Sequence, residues 1–254
     1  MRVTYLAHSG FMVQTDEVIL VFDYYRDPSH SVVKALEKYP DMPVVFFVSH
    51  SHPDHYNHEI FNLAQNHKRV YVLSNDVVVR ETDPSLAIQG MSVGDVVENL
   101  PGGISVKAYG STDEGVSFRV TLKDNRTLFH AGDLNLWHWK EESTEKEVAK
   151  ATAEFKKELG RIAEENSHFD VAFFPVDLRQ GQDFARGAVD FIEAIRVSDF
   201  FPMHFDGDAH IACDFGVYPF HNQVETAFHC LYDPGQSIEL NYPAPPSPKI
   251  YTIF

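Results

Sequence analysis

Four ligand-type side chains within six positions, His50-Ser51-His52-Pro53-Asp54-His55, constrain this chain more than any other feature, because they follow directly on the apolar run Val44-Val45-Phe46-Phe47-Val48. Such a run, opened by Pro43 and closed by a polar loop, reads as a strand buried on both faces. The histidines therefore leave from the C-terminal end of a strand. In extended backbone alternate side chains point the same way, so His50 and His52 can reach one metal ion together. Pro53 then turns the chain, and Asp54 and His55 approach from another backbone direction, suited to a second ion. Imidazole and carboxylate are the ligand types expected for zinc and related transition metals. The bland alternative is a solvated histidine-rich loop. It requires this spacing to arise by chance, which is rare even with 14 histidines in 254 residues.

The surrounding pattern is strand-rich and then helical. Val3 to Leu6, Phe11 to Gln14 and Val18 to Phe22 are short apolar or alternating runs separated by Ser9-Gly10 and Thr15-Asp16-Glu17, and predict an antiparallel meander. Ser31 to Tyr39 predicts a short helix ending before Pro40, Glu59 to Asn66 a second helix, and Val70 to Leu73 a strand. Further strands are expected at Ile104 to Ala108, Val116 to Leu122, Thr127 to His130, Val171 to Phe174 and Phe200 to Met203, and a last one near Ile250 after the proline-rich tail Pro243 to Pro248. The strongest helix spans Thr144 to Asn166: Thr144 and Glu147 form a capping box, and Val148, Ala151, Phe155, Leu159 and Ile162 form one apolar stripe. Phe184 to Arg196 predicts another helix. With no repeat and no linker, the chain reads as one α/β domain over residues 1–254, two sheets face to face with helices outside.

Two more segments share the grammar of a strand delivering a ligand-type residue at its end: Leu128-Phe129-His130-Ala131-Gly132-Asp133 and Phe200-Phe201-Pro202-Met203-His204. Together with His50/His52/Asp54/His55 they resemble, in order, the metallo-β-lactamase superfamily. The opening Leu6-Ala7-His8-Ser9-Gly10-Phe11 looks like the branch that contains L-ascorbate-6-phosphate lactonase. The resemblance implies a four-layer αββα sandwich with a dinuclear site at the edge between the sheets. It implies that His50 and His52 hold the first metal, that Asp54, His55 and His204 hold the second, and that Asp133 bridges them. A metal-bound hydroxide would be the nucleophile, with Asp54 and Asp133 as the catalytic carboxylates. Asp23, ending the Val18 to Phe22 strand, matches a carboxylate that orients a ligand histidine, or is a turn residue.

One position departs from that pattern. The third histidine expected for the first metal is missing where Val106-Lys107-Ala108-Tyr109 runs into Gly110-Ser111-Thr112-Asp113. Asp113, Ser111 or a water would substitute, unless a distant histidine such as His8 or His210 folds in. One strongly held ion with a partly occupied second is therefore expected, zinc by ligand type, with manganese or iron as alternatives. Trp137 and Trp139 would wall a substrate pocket or simply pack. Arg179 would pair with an anionic substrate or with Asp177 or Asp183. Asp206, Asp208 and His210 read as a solvated loop.

The charge balance of 21 basic against 37 acidic residues, net −16, argues against nucleic acid as the partner and so against nuclease activity. No apolar run approaches the roughly 20 residues of a membrane span, and no secretory leader is recognisable. Cys213 and Cys230 read as reduced, buried thiols of a cytoplasmic protein, or as one bridge. The expected activity is metal-dependent hydrolysis of a small anionic ester, lactone or phosphorylated compound. A second reading, a non-hydrolytic metal-binding or sensing module, follows from the gap at Gly110.

Overall fold

The computed structural model describes residues 1–80, 83–205, 209–214 and 225–242. In chain order, strands β1 (Arg2–Ala7), β2 (Gly10–Gln14) and β3 (Ile19–Phe22) precede helix α1 (Ser31–Lys38), and β4 (Val44–Val48), β5 (Arg69–Ser74) and β6 (Ala87–Met91) follow. The next strands are β7 (Val96–Leu100), β8 (Ile104–Tyr109), β9 (Ser117–Thr121) and β10 (Thr127–His130). Helix α2 (Glu145–Glu165), strand β11 (His168–Pro175), helix α3 (Arg186–Ala194) and strand β12 (Arg196–Met203) come next. Helix α4 (Ala209–Cys213) and the edge strands β13 (Ala227–Phe228) and β14 (Ser237–Glu239) complete the described elements.

These strands make two seven-stranded sheets, ordered β14-β1-β2-β3-β4-β5-β6 and β13-β12-β11-β10-β9-β8-β7. The meander β1-β2-β3 is antiparallel, whereas β3 to β6 pair in parallel, as do β10, β11 and β12. The expected αββα sandwich is thus observed, with α1 on one outer face and α2 and α3 on the other. Its middle is aromatic: Phe11, Phe22, Phe47, Phe118, Phe173 and Phe201 are at or near zero exposure. Burying each such side chain contributes about 1.5–3 kcal/mol. A second apolar cluster joins Val32, Ala35 and Leu36 of α1 to Ile19, Phe46 and Tyr71.

Helix α2 has the capping box of Thr144 and Glu147, with Phe155, Leu159 and Ile162 facing inward. Several elements differ from expectation. Residues 59–66 form a 3₁₀ helix over His58–Phe61 followed by turns, because Ala64 at φ 52° leaves the helical region. Strands β6 and β7 give no alternating signal because most of their side chains are exposed or half-buried. Strand β12 begins four residues before the expected Phe200. The expected strand near Ile250, the proline-rich tail, Asp206 and Asp208 lie outside the described residues.

Cys213 and Cys230 are bonded to each other, with Cα atoms 5.3 Å apart, and both are half-buried. This corrects the reading of free, buried thiols and removes the argument for a reducing compartment that free thiols supplied. The cause is tertiary: β13 pairs with β12, which brings residue 230 back beside α4. Among the described residues no helix is long and apolar enough to cross a membrane.

Candidate metal centre

Parallel pairing within both sheets turns the C-terminal ends of β3, β4, β10, β11 and β12 toward one edge. Each delivers a polar side chain within a few residues: Asp23, His50, Asp133, Asp177 and His204. Three residues on this edge have left-handed backbone, His8 (φ 55°), Asp23 (φ 42°) and His204 (φ 60°). For non-glycine residues this costs on the order of 1–2 kcal/mol each and persists where the surroundings force it. Gly115 also has positive φ, and a Cβ there would lie 2.0 Å from the Ser49 carbonyl. Only glycine lets the 110–116 loop close on β4, where the Val116 N–H donates to that same carbonyl at 2.9 Å.

Asp133 is the hub. Its Oδ1 lies 3.1 Å from His55 Nε2 and 3.3 Å from His204 Nε2, and its Oδ2 lies 3.4 Å from His50 Nε2. His55 Nε2 and Asp133 Oδ1 are fully buried, yet neither has an aligned hydrogen bond. Buried donors and acceptors are rarely left so, and a convergent set of imidazole nitrogens on a carboxylate is what a shared cation requires.

Three overlapping groups each keep their donor atoms within 4.8 Å of one another: His8, Asp54, His55 and His204; His50, His55 and Asp133; His52, Asp113 and Asp133. All six ligands implied by the family resemblance are therefore brought together, and so is Asp113. The residues fit a divalent transition metal by donor chemistry and by these unpaired buried atoms. Gly110, the position without a histidine, points toward α2: a Cβ there would lie 2.5 Å from Glu158 Oε2.

Carboxylates behind the cluster fix the rings. Asp23, wholly buried, accepts from the Ser49 N–H (2.8 Å), the Ser49 hydroxyl (2.7 Å) and the His55 Nδ1–H (2.8 Å). Asp177 accepts from the His204 Nδ1–H at 2.9 Å. With Nδ1 occupied as donor, each ring turns Nε2 toward the cluster. Asp177 had no role of this kind in the sequence reading. The available signal was the shared pattern of an apolar strand end followed by aspartate, Phe22-Asp23 and Val176-Asp177. His8 was also left without a fixed role, although it too follows a buried strand. His130 is structural: its Nε2–H donates to the Ser9 carbonyl at 2.9 Å.

The electrostatics favour a cation. Burial pushes the Asp133 carboxyl up, but His204, His50 and His55 outweigh it and hold it well below the usual range. Burial lowers the His55 and His204 pKa values, yet Asp133 with Asp23 raises His55 to about 10, and Asp133 with Asp177 raises His204 to about 9. Both rings are protonated at neutral pH in the metal-free protein, and a metal must displace those protons. Metal binding at pH 7 is expected to release protons from both rings, with affinity rising as pH rises toward 9–10. Calorimetry in buffers of different ionisation enthalpy measures this; binding without proton release contradicts it. In the metal-free fold the same shifts stabilise below the unfolded histidine pKa of about 6.5, and that stability is lost as pH rises through the raised values.

Beside the cluster lies a cleft of about 280 Å³ lined by His52, Asp54, Thr112, Asp113, Trp137, Trp139, Arg179 and His204. Trp137 donates its indole N–H to the Asp133 carbonyl at 2.7 Å, and its ring lies 5.3 Å from His204 and 6.0 Å from Trp139. Arg179 pairs with Asp177 through Nε at 2.9 Å, and its guanidinium lies 5.9 Å over Trp139 while half-exposed to the cleft.

Residues 2–151 match the model of the β-lactamase superfamily domain. A metal-dependent hydrolase of Opitutus terrae is 25% identical over 94% of this chain and all of its own length. One of Methanobrevibacter smithii is 27% identical over 95% and 98%. The solved structure of Igni18, a metallo hydrolase of Ignicoccus hospitalis, superposes with TM-score 0.67 at 16% identity, covering 95% of this chain and 99% of that one. Strand ends and convergent ligands agree with the domain match, and the chain belongs to the β-lactamase superfamily.

Proposed function

We propose that the protein hydrolyses a small anionic ester, lactone or phosphorylated compound in the cleft beside Asp133. The observation that carries this is the juxtaposition, in one cleft, of the buried His/Asp cluster with the half-exposed Arg179 guanidinium and two indoles. His50 and His52 would hold one ion, Asp54, His55 and His204 the other, and Asp133 both; zinc suits this donor set, and manganese or iron are alternatives. Such ions supply Lewis acidity and lower the pKa of water toward 7.

The chain's own groups do the rest. Asp23 and Asp177 hold the His55 and His204 rings with Nε2 toward the reacting centre. Asp54 lines the cleft half-buried and is kept ionised, foremost by the His8 imidazole 3.4 Å away, so it presents a negative charge to the cleft. Arg179, pre-oriented by Asp177 and Trp139, binds the anionic group. Trp137 and Trp139 form an apolar wall that limits water around the scissile bond. The strongly negative net charge disfavours nucleic acid as substrate.

A panel of phosphorylated lactones, carboxylated esters and their neutral counterparts tests the reading. Arg179→Met is expected to raise KM for anionic substrates about tenfold, the order of one charge-assisted hydrogen bond discounted for partial exposure. kcat and the KM of neutral substrates should stay within about twofold. Equal turnover of neutral and anionic substrates, indifferent to Arg179, would overturn the substrate class while leaving the hydrolase intact.

A further inference from the structure

We propose that His8 is itself a metal ligand, joining Asp54, His55 and His204, so that this chain carries an extra site histidine at the end of β1 and lacks one after β8. The His8 side chain is 5% exposed, and its Nε2 lies 3.4 Å from Asp54 Oδ2. Its ring centroid is 4.2 Å from that of His204 and 5.4 Å from that of His55. One donor atom from each of the four residues falls within 4.8 Å of all the others.

The backbone holds this arrangement. His8 sits at φ 55°, and its carbonyl accepts from the His204 N–H at 3.3 Å, which ties the end of β1 in one sheet to the end of β12 in the other. Three buried imidazoles grouped with one half-exposed carboxylate match the ligand number and type of a transition-metal site. On the other side, His50 and His52 have Asp133 and the exposed Asp113 and Glu114 near them, and share His55 with the His8 group, while position 110 faces Glu158. The donor count is therefore unequal. The His8 side has three imidazoles and Asp54 besides the shared Asp133, and the His50 side has two imidazoles of its own and the reaching carboxylates. The His8 side binds first and more tightly.

This inference rests on the cluster being a metal centre, and the wild-type titration tests that separately. Metal-stripped protein is titrated with cobalt(II), followed by d–d absorption and by competition with a chelator. Wild type is expected to bind in two steps of unequal affinity; no binding at all would overturn the metal centre and the His8 role together. His8→Asn suits the left-handed backbone and is expected to weaken the tight step about a hundredfold, with the melting temperature of the metal-free protein unchanged. His8→Cys is expected to restore tight binding and to add a thiolate-to-cobalt charge-transfer band, which only a ligand at position 8 produces. Tight binding unaffected in His8→Asn overturns the proposal. So does a weakened step in His8→Asn without the new band in His8→Cys, because His8 would then act only through Asp54. Wild type loaded with one equivalent of cobalt gives a reading that needs no variant: hyperfine-shifted imidazole signals from three histidines are expected, and signals from two overturn the proposal.

Discussion

Asp133→Ala is expected to abolish hydrolysis, by about 10³-fold or more, and to leave the purified protein with less metal than wild type. The size follows from position rather than from charge alone. The Asp133 carboxylate is 4% exposed and lies within 3.4 Å of imidazole nitrogens from His50, His55 and His204. Removing it takes one donor from both halves of the cluster at once. It also removes the field that raises His55 and His204, since Asp133 is the foremost carboxylate acting on each. A group that touches the reacting centre is worth several kcal/mol, and each 1.36 kcal/mol is a factor of ten in rate. Elemental analysis with an activity assay decides the matter, and wild-type metal content with wild-type turnover would refute it.

Asp23→Ala is expected to cost stability as well as metal, by about 3–5 kcal/mol in denaturant unfolding and about 10–100-fold in metal affinity. The carboxylate has zero exposure and takes three hydrogen bonds, two from Ser49 and one from His55. Truncation strands a buried N–H, a buried hydroxyl and a buried imidazole, and the penalty for such groups exceeds the worth of the bonds themselves. It also frees the His55 ring to rotate. Burial pushes the Asp23 carboxyl up, but His130 and His55 pull it below its unfolded value. Its contribution is therefore present above about pH 3.9 and is lost as pH falls through the depressed folded value. Asp23→Asn separates the two effects: it keeps the volume and presents an amide to His55, so metal affinity should fall more than packing. Wild-type unfolding midpoints and wild-type metal affinity in both variants would show that Asp23 is a turn residue and nothing more.

Much of this architecture was legible in the chain. The run Val44 to Val48 is a strand with every residue buried, and the 144–166 helix lies within a residue of its caps because Thr144, Glu147 and the apolar stripe agree. Local chemistry that agrees with tertiary need leaves a strong trace. Strands β6 and β7 left none, since exposed edge strands have no buried face to impose a two-residue period. The 59–66 segment carried a helical pattern that the left-handed Ala64 overrides.

For the site, residue type and spacing by themselves pointed to metal chemistry at His50, His52, Asp54 and His55, and the family resemblance added Asp133 and His204 to that set. Only the tertiary structure decided which others join them. Arg179 is both the Asp177 partner and a cleft residue, two readings that the sequence kept apart. Asp177 turns out to hold His204, His8 comes in from the first strand, position 110 turns toward α2, and Cys213 finds Cys230. The physical reason is range. A ligand motif within six residues is specified by the local alternation of extended backbone, whereas the company of residues 8, 133, 177 and 204 depends on parallel pairing in two sheets and on how those sheets face each other, which no window of sequence contains.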